Sequence, residues 1–343
     1  MKHRIRFQEV ITVAPAPNIN AVPPWPSSMT PHHKPEAPPS GSPTLETLPP
    51  EISMEIFAFA CTDDGTTGRA LSAVSRVVHI VSKPMKYQSL CVLGPDQLLK
   101  LLGVLSALSP GARKVKNLFV ASLDECTDLQ RGNDSVESHR VDIKLDPTEQ
   151  ALFQILRLVS SSLVTLHIHR TKIYRPSVLL DMELPMLSEL TLHGPFKSIG
   201  LQPPSLFPSL RRIHIHHFTH YPTKFLQQIV QAAPSMTHLH LPQCSFSTYD
   251  LQVALGMLHP TVPSSDRNTS LPKNLQKLEI ELNPIPASLD SWASNIRGEQ
   301  CRRKFQQISR RDTRIRLVDG RSDCMSVAEA KERWLKDASC SGL

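Results

Sequence analysis

Six short segments repeat the pattern Leu-x-x-Leu-x-Leu or a close apolar variant, and this recurrence restricts the possible folds more than any other feature. They begin at Val115, Leu163, Leu187, Leu210, Met236 and Leu275. Apolar residues two apart within each segment read as a strand that buries one face. Successive starts lie 48, 24, 23, 26 and 39 residues apart. The longer gaps have room for helices. Asp146-Pro147-Thr148-Glu149 followed by Ala151, Leu152, Ile155, Leu156 and Val159 combines an N-cap, an N1 proline and an apolar stripe. Further helices are expected over 97–105, 224–231 and 249–258. Pro195, Pro203, Pro204, Pro208, Pro222 and Pro234 stop elements between the strands. Strand and helix therefore alternate, which is the signature of an α/β chain.

If the strands stack in chain order, residues between the apolar positions line up in columns. One column holds Phe119, His167, Thr191, His214, His240 and Glu279. Its neighbour holds Ala121, His169, His193, His216, Pro242 and Glu281, and His238 falls beside Arg212 and Lys277. Seven of the fifteen histidines thus share one expected face. The expectation is a polar, half-exposed recognition surface. A sharper alternative is a metal site at His169, His193 and His216, on rungs about 4.8 Å apart. Another is pH-dependent recognition by clustered imidazoles.

Residues 45–90 have a different character. Leu48-Pro49-Pro50-Glu51-Ile52 opens a helix with Ile52, Ile56, Phe57 and Ala60 on one stripe. Asp63, Asp64, Gly65 and Gly68 punctuate its end. A second helix places Leu71, Val74, Val78 and Val81 on one face, and Pro84 closes it before the strand-like Tyr87–Leu93.

The residues Leu48, Pro49, Glu51, Ile52, Ile56, Phe57, Leu71, Val74, Ser75 and Arg76 resemble an F-box, the motif that docks onto a Skp-type adaptor in Skp/cullin/F-box ubiquitin ligases. The long link and Val-Ser-Arg are similar to F-box proteins of mushroom-forming (basidiomycete) fungi. Val78 stands near the place of the family's usual tryptophan. The central strand spacings resemble leucine-rich repeats, whose period is about 20–29 residues. The Asn or Cys that follows the last strand leucine in that family appears at Cys244 and Asn283.

This resemblance implies an N-terminal F-box helical module followed by an irregular leucine-rich-repeat-like solenoid. The expected division is a proline-rich tail over 1–44, the module over 45–92, the solenoid over 93–320 and a C-terminal helix and tail over 321–343; a helix carrying Leu289, Trp292, Ile296, Phe305 and Ile308, the strand-like Ile315–Val318 and an amphipathic helix over 326–337 are together expected to cap the solenoid's open end. The implied function is a substrate-recognition subunit with Skp-type adaptor and cullin ligase as partners. Leu48, Pro49, Ile52, Ile56, Phe57, Leu71 and Val74 would bind the adaptor, though some must hold the small helices together. His167, His169, His193, His214, His216 and His240 would bind an unknown target protein. A stand-alone interaction scaffold and a metal-dependent enzyme on the histidine face are the alternatives.

Other observations narrow the class. Ten prolines in residues 1–44 set a segment that cannot bury enough apolar surface to offset its ordering entropy. Seven widely spaced cysteines without C-x-x-C fit reduced thiols of the cytoplasm or nucleus. Met1–Phe7 is basic without the apolar run of a secretory signal, and no membrane span is expected. The net charge of +7 permits an acidic partner. The arginine-rich run at 297–316 lacks a glycine-rich phosphate loop and stacking aromatics, so no nucleic-acid partner is expected. There is no G-x-S-x-G, no Walker-type loop and no Cys/His pairing, so neither catalytic residues nor a cofactor are assigned. Acidic neighbours should raise the thiol pKa of Cys61 and Cys126.

Overall fold

The computed structural model describes residues 48–122, 147–170, 177–178, 182–194, 196–198, 206–216, 225–242, 245–255, 257, 271, 273–282, 292–320 and 325–340. The expectations for the tail over 1–44, and for Cys126, Cys244, Asn283 and Leu289, lie outside these residues.

Three short helices open the described chain: α1 (Pro50–Ala60), α2 (Thr66–Leu71) and α3 (Arg76–Ser82). Pro50 at the first helical position and Glu51 in the first turn start α1. What reads in the sequence as one second helix is two. Ser75 is extended and its hydroxyl accepts from the Val78 N–H at 3.2 Å, an N-cap that restarts the chain as α3. Between α1 and α2, Asp63 accepts from the Gly65 N–H and from both the Thr67 N–H and hydroxyl, so the link is an ordered turn. Gly68 is required there: a Cβ would come within 2.9 Å of the Lys86 carbonyl oxygen.

Strands and helices then follow in the order β1 (Ser89–Leu93), α4 (Pro95–Ala107), β2 (Asn117–Ser122), α5 (Pro147–Val159), β3 (Thr165–Arg170), β4 (Ser177–Val178), β5 (Glu189–His193), β6 (Phe196–Ser198), β7 (Arg212–Ile215), α6 (Phe225–Ala232), β8 (His238–Pro242), α7 (Ser245–Ala254), β9 (Lys277–Leu282), α8 (Trp292–Ser309), β10 (Ile315–Asp319) and α9 (Val327–Cys340), alternating except over β3 to β7. Eight strands form one sheet in the order β1-β2-β3-β5-β7-β8-β9-β10, and every pair is parallel. The short β4 and β6 pair separately.

A parallel sheet wound in one direction sends each right-handed crossover to the same face. That face holds the main core. Leu118, Val120, Leu166, Ile168, Leu190, Leu192, Ile213, Leu239, Leu278 and Ile280 of the strands are buried with Leu98 and Leu105 of α4, Ile155 and Leu156 of α5, Phe225 and Ile229 of α6, and Phe305 and Ile308 of α8. Each such side chain contributes on the order of 1.5–3 kcal/mol by leaving water.

The second face carries the alternate residues, and α9 lies on it. Ser326 and Glu329 form a reciprocal capping box at its start: the Ser326 hydroxyl accepts from the Glu329 N–H, and the Glu329 carboxylate accepts from the Ser326 N–H. Ala330 and Trp334 form a smaller core with Phe119 and Ala121 of β2, and the Trp334 and Phe119 rings stand 5.5 Å apart. Lys331 of α9 also pairs with Asp64 at 2.7 Å, reaching the link between α1 and α2.

Two expectations are corrected by this architecture. The chain is α/β, but as one eight-stranded all-parallel sheet alternating with helices, not as a helical module followed by a repeat solenoid. The sheet begins inside the stretch assigned to the helical module: β1 is its first strand, and Gln88 Nε2 donates to the Ala58 carbonyl of α1 at 2.9 Å. Leucine spacing encodes a parallel strand and its return segment, and such units serve a single helix-backed sheet as well as a stack of repeats. Of the segments expected at the far end, β10 does pair with β9 there as the last strand of the sheet, but the C-terminal helix does not lie there. It packs on β2 and β3, because its apolar residues fit Phe119 and Ala121, which the helices of the first face leave uncovered.

Candidate functional site

The first candidate surface is on α1–α3. At i, i+4, i+7 spacing, Ile52, Ile56 and Phe59 share one side of α1; Ile52 and Ile56 are each 45 % exposed. Val74, just before α3, and Val77 and Ile80 within it are more exposed still, Ile80 at 70 %. The inward side of the helices carries Phe57, which is 3 % exposed, and Val78. Among the described residues thirteen large apolar side chains are exposed, and seven of them lie between Ile52 and Ile80. A concentration of this kind marks an interaction surface more than scattered surface leucines do. Of the seven residues assigned to adaptor binding, Ile52, Ile56 and Val74 are exposed apolar side chains, and Pro49 is exposed. Leu48 and Leu71 are half-buried, and Phe57 belongs to the core. The exposed Val77 and Ile80 were missed because the helix between Leu71 and Val81 was read as continuous, and Phe59 because the stripe on α1 was drawn through Phe57.

The second candidate surface is the histidine face. The register places Phe119, His167, Thr191, His214, His240 and Glu279 in one column across six strands. Ala121, His169 and His193 follow in the next, and Pro242 pairs with Glu281. His216 directly follows β7, with its N–H on the Leu192 carbonyl at 3.0 Å. The rings run in near-continuous contact: His169 stacks on His193 at 4.4 Å, His193 meets His216 at 5.4 Å, His216 meets His240 at 5.1 Å, and His240 meets His214 at 5.8 Å.

The exposure expected of this face is corrected. His167, His169, His193 and His240 are buried, and His214 and His216 only partly exposed. His169, 2 % exposed, bonds through Nε2 to the Met325 carbonyl just before α9, at 3.0 Å. His167 packs its ring on Phe119 at 4.7 Å. The opening that remains is a cavity of about 280 Å³ between the strands and α9. Its lining includes Arg212, His214, His240 and Glu279 from the sheet and Arg333 and Asp337 from α9, so both charge signs are present.

Burial sets the titration of this face. It holds His167 well below the ordinary histidine range, with the neighbouring imidazoles and Arg333 adding to the effect, and pushes His214 down to about 3. Burial also lowers His169, outweighing the bond to Met325, and lowers His216 despite its bond to Glu281. Hydrogen bonds from His216 and His240 hold the Glu281 carboxyl far below its ordinary range. A neutral imidazole N–H donates to a carboxylate too, so a lowered His216 and a lowered Glu281 are compatible. His167, His169, His214 and His216 are therefore neutral imidazoles at pH 7, on a face that ends on two carboxylates at β9.

The trio weighed as metal ligands does not converge. His169 and His193 lie flat on each other, with 6° between ring planes, and His169 is turned to Met325. A different trio does: one donor atom each from His216, His240 and Glu281 lie within 4.8 Å of one another. Sequence reading missed it because Glu281 reaches diagonally from β9 across to His240 and His216.

Elsewhere the chemistry is sparse. Burial, with Asp63 second, raises the Cys61 thiol, and burial pushes Cys91 up to about 11, so neither is a ready thiolate. Several cations of the basic run are engaged, Arg303 with Glu299 and Arg314 with Asp312. Among the described residues no helix is long and apolar enough to cross a membrane. Open parallel sheets bind ligands where strand order reverses, and the order here runs in one direction without reversal. Compared with protein families and with curated proteins, the chain matches none.

Proposed function

We propose that the protein is a non-enzymatic receptor subunit of a Skp/cullin-type ubiquitin ligase, docking a Skp-type adaptor through the outward side of α1–α3. One observation carries the reading: the exposed apolar residues concentrate on the three helices whose sequence resembles an F-box. Ile52, Ile56, Phe59, Val77 and Ile80 are not needed to bury the chain's own core, and their burial against a partner would provide the apolar anchors of an interface. The target protein would be taken at the open end of the histidine face, where Arg212, Lys277, Glu279, Arg333 and Asp337 supply charges of both signs for complementarity. The protein would contribute proximity, and the transfer chemistry would belong to other subunits.

The test is co-purification with a Skp-type adaptor, comparing wild type with an Ile56→Asp, Ile80→Asp double variant. Both positions are exposed, so the variant should keep the wild-type circular dichroism spectrum and melting temperature while losing the adaptor. Wild-type protein that does not retain the adaptor would overturn the proposal and leave the stand-alone scaffold as the reading.

A further inference from the structure

We propose that His216, His240 and Glu281 form a binding site for a divalent transition-metal ion, zinc by the character of the donors. The argument is geometric and independent of adaptor docking. Glu281 Oε2 stands 3.2 Å from His240 Nε2 and 3.6 Å from His216 Nδ1. A tetrahedral ion with bonds of about 2.1 Å separates its ligand atoms by about 3.4 Å. The two distances lie on either side of that value, and the third separation, between the two imidazoles, is within 4.8 Å and closes toward it when an ion is held. Two imidazoles and one carboxylate are also the ligand set of open, three-ligand zinc sites.

The support around the trio has the features that hold such ligands still. His240 and Glu281 project from neighbouring strands whose register is set by the ladder, His240 pairing with Glu279 and Pro242 with Glu281. Strand-borne ligands are positioned more accurately than loop-borne ones. His216 and His240 keep about a tenth of their side-chain surface. His240 has a second carboxylate on its other nitrogen, Glu279 Oε2 lying 3.8 Å from Nδ1. Binding requires His216 Nδ1 and His240 Nε2 to be free of a proton, each neutral imidazole then carrying its proton on the other ring nitrogen, which for His240 faces Glu279. His240 also lines the 280 Å³ cavity, so an ion held here would adjoin the space in which a polar target segment is expected.

The experiment is titration of chelator-treated, full-length protein with Zn²⁺ by calorimetry, with Co²⁺ as a spectroscopic substitute. Wild type should take up about one ion per chain, and the cobalt form should show the intense visible bands of tetrahedral coordination. Glu281→Gln keeps shape and should weaken binding by roughly 100-fold or more, as should His240→Ala. His169→Gln, on the stacked part of the ladder, should bind as wild type does. A melting curve on each metal-free variant guards against loss of fold, and if His240→Ala does not fold, Glu281→Gln decides the matter. No uptake by wild type, or uptake unchanged in Glu281→Gln, would overturn the site and show the trio to be a hydrogen-bonded cluster only. Neither result bears on adaptor binding, which is read separately.

Discussion

At the scale of single residues, two positions carry consequences that their sequence neighbours do not reveal. Gly68 lies against the Lys86 carbonyl, and a methyl group there would sit 2.9 Å from that oxygen. Gly68→Ala should therefore cost about 1–3 kcal/mol, as overpacking does, even though alanine is the better helix former. An unchanged urea midpoint would contradict that close approach. His167 is the second. The groups near it are His169, His193 and His216 from the sheet and Arg333 from α9, none of which favours its protonation. Its folded-state value lies below its unfolded one, so as pH falls through about 6.5 the unfolded chain takes up a proton that the folded chain refuses. Stability is complete above that value and is lost as pH drops toward the folded one, by up to about 1.4 kcal/mol per unit for each such histidine. Urea midpoints at pH 7.5 and 5.5 should differ accordingly, and His167→Phe should narrow the difference. A flat profile in wild type would refute the burial argument.

At the scale of elements, α1 and α9 show how much of a helix's role depends on what it packs against. α1 has apolar residues on both sides, so the stripe Ile52, Ile56, Phe57 could be read from sequence but its inward direction could not. The structure turns Phe57 in and Ile56 out. Phe57→Ala should thus cost about 3–5 kcal/mol and Ile56→Ala less than about 1 kcal/mol, a contrast that paired urea titrations would measure. The helix α9 was visible in sequence as amphipathic, yet nothing in its spacing named Phe119 and Ala121 as its seat. Trp334→Ala should likewise cost about 3–5 kcal/mol and speed proteolysis between Met325 and Ala338, while Lys331→Ala, which breaks only a half-exposed pair with Asp64, should cost no more than about 1 kcal/mol. Equal effects of the two variants would mean that charge, not apolar burial, holds the helix.

At the scale of the whole molecule, the strands, their order and the columns of residues across them were legible because alternation of leucine with other residues specifies which side each residue takes. The columns through His167, His214 and His240 follow from that alternation once the strands are stacked in chain order. The global arrangement was not legible, since the same local pattern serves repeats and a single sheet. Nor was the exposure of the histidine face, which depends on α9 from the other end of the chain. Convergence of His216, His240 and Glu281 needed diagonal contacts that columns do not describe. The sheet's continuity with the first helices, through Gln88 and Ala58, implies that α1–α3 contribute to a shared structure while presenting their outer side. The most direct measurement of the central claim is hydrogen exchange of the full chain with and without a Skp-type adaptor. Docking on α1–α3 predicts added protection over Pro50–Ser82, with β5, β7 and β8 unchanged. Protection absent from those helices, or appearing only on the sheet, would contradict it.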